Sequence, residues 1–362
     1  MNKKKEIKNK LKPKEKEITQ NTIFETFIKK YSIKSQNKSS NDIIPKKNNN
    51  NNTIPEYIKV NILPQGRIKS YSYDSKPGQN LEGIKKINQD SYFILRKHNQ
   101  IKDFNIFCIM DGHGPDGHFV SSFISKYFSF FFRKNEKINS DLYKQNLDYI
   151  YYQLKKDNYS LIKKAYQEAE KDLSKIKQMD IDFSGTSCII LIQLGDKIIC
   201  ANVGNSRAIM VKNYDRIIPL SIDNTPDIPE ESERILKHGG IICQIEENEN
   251  QLGPYRIWQK GEKYPGLDIS RSIGDTVASK LGVISEPNII EKFIDSETQF
   301  IVMVSHGVLE FMSNKDILDI VMLFYPKKDS RRACETIINQ ARKYWYQDDI
   351  IVDDITVIVI FF

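Results

Sequence analysis

No stretch of this chain approaches the roughly 18 consecutive apolar residues that would cross a bilayer, so no transmembrane segment is expected. The opening Met-Asn-Lys-Lys-Lys is followed by no apolar run, and residue 2 is Asn2 where a myristoylated chain has glycine; neither a secretory leader nor that lipid is expected. No C-x-x-C pair occurs, and the five cysteines (Cys108, Cys188, Cys200, Cys243 and Cys334) are far apart and odd in number. Most lie in apolar runs, which argues against a zinc or dithiol site and predicts reduced, buried thiols in the cytoplasm or nucleus. Neither G-x-x-x-x-G-K-[ST] nor G-x-G-x-x-G is present, which disfavours a nucleotide-binding parallel sheet.

Excess positive charge is also missing from most of the chain. The net charge is +7, but the first 50 residues hold 14 Lys against 5 acids, while the remainder holds 40 basic against 42 acidic residues. A near-neutral body argues against nucleic acid as a partner. Residues 1–64 are rich in Lys, Asn and Ile and carry an Asn run at 48–52. Such a composition predicts a disordered tail. Within it Thr22 and Glu25 have capping-box spacing, and Ile23, Phe24, Phe27, Ile28 and Tyr31 share one helical face. A docking helix, a short helix resting on the body and no order at all are the readings this island admits.

Residues 65–362 have the texture of one folded domain. Apolar runs bounded by Gly, Asp and Asn predict strands at Ser91–Leu95, Phe104–Met110, Ser187–Leu194, Ile198–Val203, Ala208–Lys212, Gln299–Val304 and Ile355–Phe362. One helical face is formed by Val120, Phe123, Ile124, Tyr127, Phe128 and Phe131, and another by Ile162, Ala165, Tyr166, Ala169, Leu173 and Ile176. Short polar turns at Leu194–Lys197 and Gly204–Arg207 predict two antiparallel hairpins. The expected fold class is α+β, with a central antiparallel β-sandwich flanked by helices on both sides.

Several acids sit just beyond the ends of these strands. Asp90 leads into the first run, Asp111 ends the second, and Asp353 and Asp354 precede the last. Taken singly, each is an ordinary turn former. Asp111-Gly112-His113-Gly114 is different, because it combines a carboxylate, a glycine whose carbonyl can approach a cation, and an imidazole two residues away. Hard cations such as Mg²⁺ and Mn²⁺ take oxygen ligands of these kinds. His113 lies close enough along the chain to protonate a leaving oxygen.

The segment Asp111–His118, D-G-H-G-P-D-G-H, resembles the signature of type 2C metal-dependent protein phosphatases, the PPM family. Further motifs follow in that family's order: I-N-Q-D-S at Ile87–Ser91, S-G-T at Ser184–Thr186, N-V-G-N-S-R-A at Asn202–Ala208 and Asp227–Ile235 with Gly239-Gly240. P-G-L-D-I-S-R-S-I-G-D at Pro265–Asp275, G-V-I-S-E-P at Gly282–Pro287, Ser305–Phe311 and Val352–Val357 complete the series. The resemblance runs from about Gln65 to the last residue. It implies a protein serine/threonine phosphatase that acts in signalling on phosphorylated proteins as a monomer. It also implies hydrolysis by a two-metal-activated water, with two Mn²⁺ or Mg²⁺ ions per site. Asp111 would bridge the metals, the Gly112 carbonyl and Asp353 would each bind one, and Asp90 would act through water. His113 would be the general acid, and Lys85 would meet the substrate phosphate.

Two positions depart from the family pattern. His306 stands where a ligand Asp is expected, and Asn205 replaces an Asp associated with a third, weaker metal position. The ions would meet one carboxylate fewer, so metal affinity is expected to fall. Three readings stay open for His306: a ring-nitrogen ligand suited to Mn²⁺, a degraded site in a phosphoprotein-binding pseudophosphatase, or a sequence error, since Asp and His codons can differ by one base. His118 and His238 are expected to be structural or exposed. Trp258 and Trp345 are expected to pack, and Arg207 and Arg271 to hold loops.

Overall fold

The computed structural model describes residues 66–80, 82–139, 146–247, 250–348 and 351–362. The basic tail, with the helical face expected at residues 23–31, lies outside the described residues. Strands β1 (Ser70–Lys76), β2 (Ser91–Leu95), β3 (Phe104–Met110) and the short β4 (Gly112–His113) come first. Helices α1 (Gly117–Lys134) and α2 (Leu147–Leu173) follow. Then come β5 (Gly185–Thr186), β6 (Cys188–Leu194), β7 (Lys197–Val203), β8 (Arg207–Lys212) and β9 (Arg216–Pro219). Helix α3 (Pro229–Lys237) leads into β10 (Gly240–Glu247), β11 (Asn250–Gln259), β12 (Pro265–Leu267) and β13 (Ile273–Gly274). Last are β14 (Asn288–Phe293), β15 (Thr298–Val304), α4 (Asn314–Phe324), α5 (Ser330–Asp348) and β16 (Ile355–Phe361).

Two five-stranded antiparallel sheets form the body, in the orders β1-β16-β15-β8-β9 and β14-β7-β6-β3-β2. Side chains alternate along each strand. Phe107, Ile109, Ile189, Leu191, Met210, Ile301, Met303, Ile358 and Ile360 point between the sheets and pack as one core. Their neighbours in the first sheet, including Val302, Val304, Val357 and Val359, pack under α4 and α5 with Val321, Ile337 and Ile338. Each such fully buried aliphatic side chain contributes about 1.5–3 kcal/mol. Burial on both faces explains why these strands read as unbroken apolar runs. On the second sheet, α1 buries Val120, Phe123, Ile124, Tyr127 and Phe128 as expected, with Phe132 rather than Phe131 as its last fully buried ring. Helix α2 buries Ile162, Ala165, Tyr166, Ala169 and Leu173 but is broken at Lys156–Tyr159, where three residues take positive φ.

The hairpin at Leu194–Lys197 forms. The one expected at Gly204–Arg207 does not. Strand β7 is already flanked by β6 and β14, and β8 by β15 and β9. The turn, with Gly204 at φ 92°, carries the chain from one sheet to the other. Both strands are apolar on both faces, so their alternation holds no information about which sheet they join.

Register places the chain's acids together. Ser91 pairs with Met110, which sets Asp90 and Asp111 side by side just past the β2–β3 ladder. Val304 pairs with Val357, so His306 and Asp353 leave the other sheet at the corresponding ladder end.

Candidate active site

A cleft of about 300 Å³ opens where these ladder ends meet. Asp111, Gly112, His113, Ser187, Asn205, Arg256, Asp268, His306 and Asp353 are among the residues that line it. Asp90 is buried and does not line the cleft surface. Thr356 Oγ1 donates to Asp90 Oδ2 at 2.6 Å, while Asp90 Oδ1 is buried with no hydrogen-bond partner. Asp111 Oδ2 accepts the His306 backbone N–H at 2.9 Å. Gly112 packs against backbone so closely that a Cβ would lie 2.5 Å from Gly117 O and 2.6 Å from Gln89 O. Only glycine fits there.

The tandem acids at 353–354 divide their work. Asp354 accepts the Gly78 N–H at 2.6 Å and the Gln89 N–H at 2.8 Å, holding the two loops in front of β2. Asp353 faces the cleft, with Lys86 Nζ 3.6 Å from its Oδ1. Lys85 is exposed, and neither it nor Lys86 lines the cleft; the ammonium beside Asp353 is that of Lys86.

Burial and mutual repulsion raise the carboxyl groups' proton affinity. Asp90 is pushed up to about 7, first by burial and then by the charges of Asp354 and Asp353. Burial and the charges of Asp90 and Asp353 push Asp111 well above the usual carboxylate range. Among the described residues, no three His, Cys, Asp or Glu side chains converge as a finished metal cage. The donor chemistry nevertheless fits hard cations: an orphaned buried carboxylate oxygen, two acids that burial and like charge hold unfavourably, and a glycine carbonyl next in the chain to Asp111.

The opposite wall is fully paired. His113 Nε2 lies 2.6 Å from Asp275 Oδ2, which also accepts the Ser272 hydroxyl at 2.6 Å. A Cβ on Gly185 would come within 2.1 Å of that same oxygen, so β5 must carry glycine for the pair to form. Burial alone would lower the His113 pKa, but the charge and hydrogen bond of Asp275 outweigh it and raise it. Asp275 lies in a motif quoted above, yet nothing in its spacing announces that it holds His113. His306 turns to the rim, its Nε2 3.1 Å from Glu310 Oε2. Burial there is likewise outweighed by Glu310, Asp268 and Asp353, and the His306 pKa rises. Trp345 Nε1 donates to Gly307 O at 2.7 Å and fixes this one-turn helix.

Other expectations hold. Arg207 grips Asp223 and Asn314; Arg271 binds Glu231 and the Glu286 carbonyl. His118 stacks on Phe119, and exposed His238 bonds the Arg234 carbonyl.

The chain is thus an α+β protein: two antiparallel sheets with helices on both faces and an acidic cleft where their ladder ends meet. The family model described as Protein phosphatase 2C matches residues 77–350, and the chain belongs to that family. It is 31% identical over 77% of its length to "Probable protein phosphatase 2C 34" of Arabidopsis thaliana, covering 78% of that protein. It is 30% identical over 80% of its length to "Probable protein phosphatase 2C 35" of the same plant, covering 83% of it. A solved serine-threonine phosphatase 2C from Toxoplasma gondii shares the fold at TM-score 0.63 and 17% identity, over 82% of this chain and 98% of that one. Membership supports serine/threonine phosphatase activity in a family that is generally Mn²⁺- or Mg²⁺-dependent. Among the described residues, no helix is long and apolar enough to cross a membrane.

Proposed function

We propose that the protein hydrolyses phosphoserine and phosphothreonine on proteins, with two divalent cations held by Asp90, Asp111, the Gly112 carbonyl and Asp353. The observation that carries this reading is the buried, unpartnered Asp90 Oδ1 beside a second, partly buried acid, Asp111. When bound, the ions would supply a water of lowered pKa and a clamp for the phosphoryl oxygens. His113, whose ring Asp275 orients and whose pKa it raises, would deliver a proton to the departing serine or threonine oxygen. Lys86 adds positive charge beside Asp353, and the cleft walls would limit bulk water around the phosphoryl group.

A second reading, phosphoprotein binding without turnover, is favoured by one observation. His306 offers no carboxylate, and its Nε2 is engaged by Glu310. Phosphate release from a phosphothreonine peptide, measured for wild type and His306→Asp with Mg²⁺ and with Mn²⁺, separates the two. We expect turnover by wild type with Mn²⁺ and about tenfold tighter metal binding by His306→Asp. A silent wild type beside an active variant establishes the binding reading. Silence of both proteins with both metals overturns the hydrolytic one.

A further inference from the structure

We propose that Thr356, in β16, is a positioning residue that leaves Asp90 a single oxygen to offer and so makes the site select small octahedral cations over Ca²⁺. This rests on the metal-dependent reading above and deepens it. Asp90, Asp111 and Asp353 each have one carboxylate oxygen taken by the protein. Asp111 Oδ2 accepts the His306 N–H at 2.9 Å. Asp353 Oδ1 accepts the Asp354 N–H at 2.8 Å, and Lys86 lies on that same oxygen. Asp90 Oδ2 accepts the Thr356 hydroxyl at 2.6 Å, and its Oδ1 has no hydrogen-bond partner. The donors to Asp111 and Asp353 belong to the backbone. The donor to Asp90 is a side chain, so substitution can remove it.

The Thr356 hydroxyl has little choice of direction. The residue is fully buried, its N–H donates to Ser305 Oγ at 2.9 Å, and its carbonyl accepts the Ser305 N–H at 3.0 Å. Ser75 of β1 stands directly opposite in the ladder, with the two hydroxyl oxygens 2.8 Å apart. Behind Ser75, Asn88 Nδ2 donates to Ser75 Oγ at 2.9 Å. Asn88 Oδ1 accepts the Asp90 N–H at 3.0 Å, which fixes the orientation of the amide. An amide nitrogen has hydrogens to give and nothing to accept with. Ser75 therefore aims its own hydrogen at Thr356, and Thr356 aims its own at Asp90. The ring holds Asp90 by its backbone and its carboxylate together. Ca²⁺ takes about six to eight oxygens and readily accepts both oxygens of one carboxylate, whereas Mg²⁺ demands an octahedron and keeps several waters. An acid held to one free oxygen suits the second ion and not the first. A hydroxyl that merely satisfied a buried acid would contribute stability, and its loss would weaken every ion alike.

The test is calorimetric titration of the full chain with Mg²⁺, Mn²⁺ and Ca²⁺ in turn, for wild type, Thr356→Val and Thr356→Ser. Valine keeps the branched shape and removes the hydroxyl, so Mg²⁺ and Mn²⁺ affinity should fall about tenfold. Ca²⁺ gains the freed Oδ2 and should lose less, so the ratio of Ca²⁺ to Mg²⁺ affinity should rise about threefold or more. Thr356→Ser restores the donor and should keep the wild-type ratio. If Thr356→Val fails to fold, Ser75→Ala decides. It removes the donor that aims the Thr356 hydroxyl, and the same ratio should rise about twofold. A wild-type ratio in Thr356→Val, or in Ser75→Ala where that variant decides, overturns the proposal. So does a Thr356→Ser protein that behaves like the valine variant. A wild type that binds none of the three ions overturns this assignment together with the metal-dependent reading. The expected ratios in proteins that release no phosphate from a phosphothreonine peptide refute hydrolysis alone and leave Thr356 in this role.

Discussion

Glu231 and Asp90 are both buried carboxylates inside the same domain, and they have opposite fates. Glu231 accepts Arg271 Nη2 at 2.6 Å, Arg234 Nη1 at 3.0 Å and Nη2 at 2.5 Å, and the Ser270 hydroxyl at 2.6 Å. Burial would raise its pKa, but these partners overcome it and hold the carboxyl at about 2. Asp90 has hydroxyl partners but no cation, keeps one oxygen without a hydrogen bond, has two acidic neighbours, and sits at about 7. Burial is common to both, so burial does not decide the outcome; the sign of the surrounding charge does. The protein completes Glu231 with its own arginines and leaves Asp90 for something it does not carry. One cluster is completed by the protein's own cations; the other, on the function proposed above, awaits a metal ion.

The sharpest way to break this comparison is to remove a carboxylate from each. Asp111→Asn should lower kcat roughly 10³-fold or more, because charge that acts on the transition state is lost. The same change should leave the melting temperature of the metal-free protein unchanged or higher, since it removes a buried like charge. A metal-free Asp111→Asn protein several degrees less stable than wild type would mean the acidic cluster is structural after all. Glu231→Ala should do the reverse. It strands two partly buried guanidinium groups and should cost about 3–5 kcal/mol of stability by urea denaturation. A cost under about 1 kcal/mol there would show that the arginines find other partners.

A titration sharpens the contrast further. The folded-state value for Asp90 lies above its ordinary 3.8, so the folded chain holds this proton more tightly than the unfolded chain. The associated stability is present below about pH 4 and is lost as pH rises through about 7. His113, His306, Asp111 and Asp354 are raised as well and act with the same sign. Glu231 acts oppositely, with stability present above its ordinary 4.5 and lost as pH falls toward about 2. In chelator, stability and with it the melting temperature should therefore fall between pH 5 and pH 8, by roughly 2–3 kcal/mol from Asp90 alone. Added Mg²⁺ or Mn²⁺ should restore more at pH 8 than at pH 5, because the ions need the ionised acids. A metal-free melting temperature that is flat or rising with pH would contradict the unpaired cluster.

Much of this site was legible in the sequence because its members are local in the chain. Asp111, Gly112 and His113 are consecutive, and Asp90 and Asp353 each abut a strand whose apolar run is unmistakable. The strands β3, β6 and β16 were predictable for the same reason. What escaped prediction depends on contacts between distant segments. Asp275 meets His113 across 162 positions. Arg256 reaches the cleft from a separate three-stranded sheet, β10-β11-β12. Strand β1 reads S-Y-S-Y-D-S-K, half-polar because it is a sheet edge, so no apolar run marked it. Lys85 and Lys86 are neighbours in sequence, and a one-residue step decides which ammonium faces Asp353; only the fold carries that information.

The smallest expected effect separates the paired wall of the cleft from the unpaired one. Asp275 does for His113 what Arg234 and Arg271 do for Glu231: it supplies the opposite charge that favours the ionised form of a partly buried group. A general acid works while protonated, so activity is full below the His113 pKa and declines as pH rises through it. Asp275→Asn keeps a polar group beside the ring but removes the charge, so the His113 pKa should drop and the alkaline limb of the kcat profile should move to lower pH. Activity should fall about tenfold at pH 8 and much less at pH 6. Metal affinity should barely change, because Asp275 contacts His113 and Ser272, not the acids across the cleft. An alkaline limb that stays in place in Asp275→Asn would show that His113 does not carry the proton, and would move that role to another group on the cleft wall.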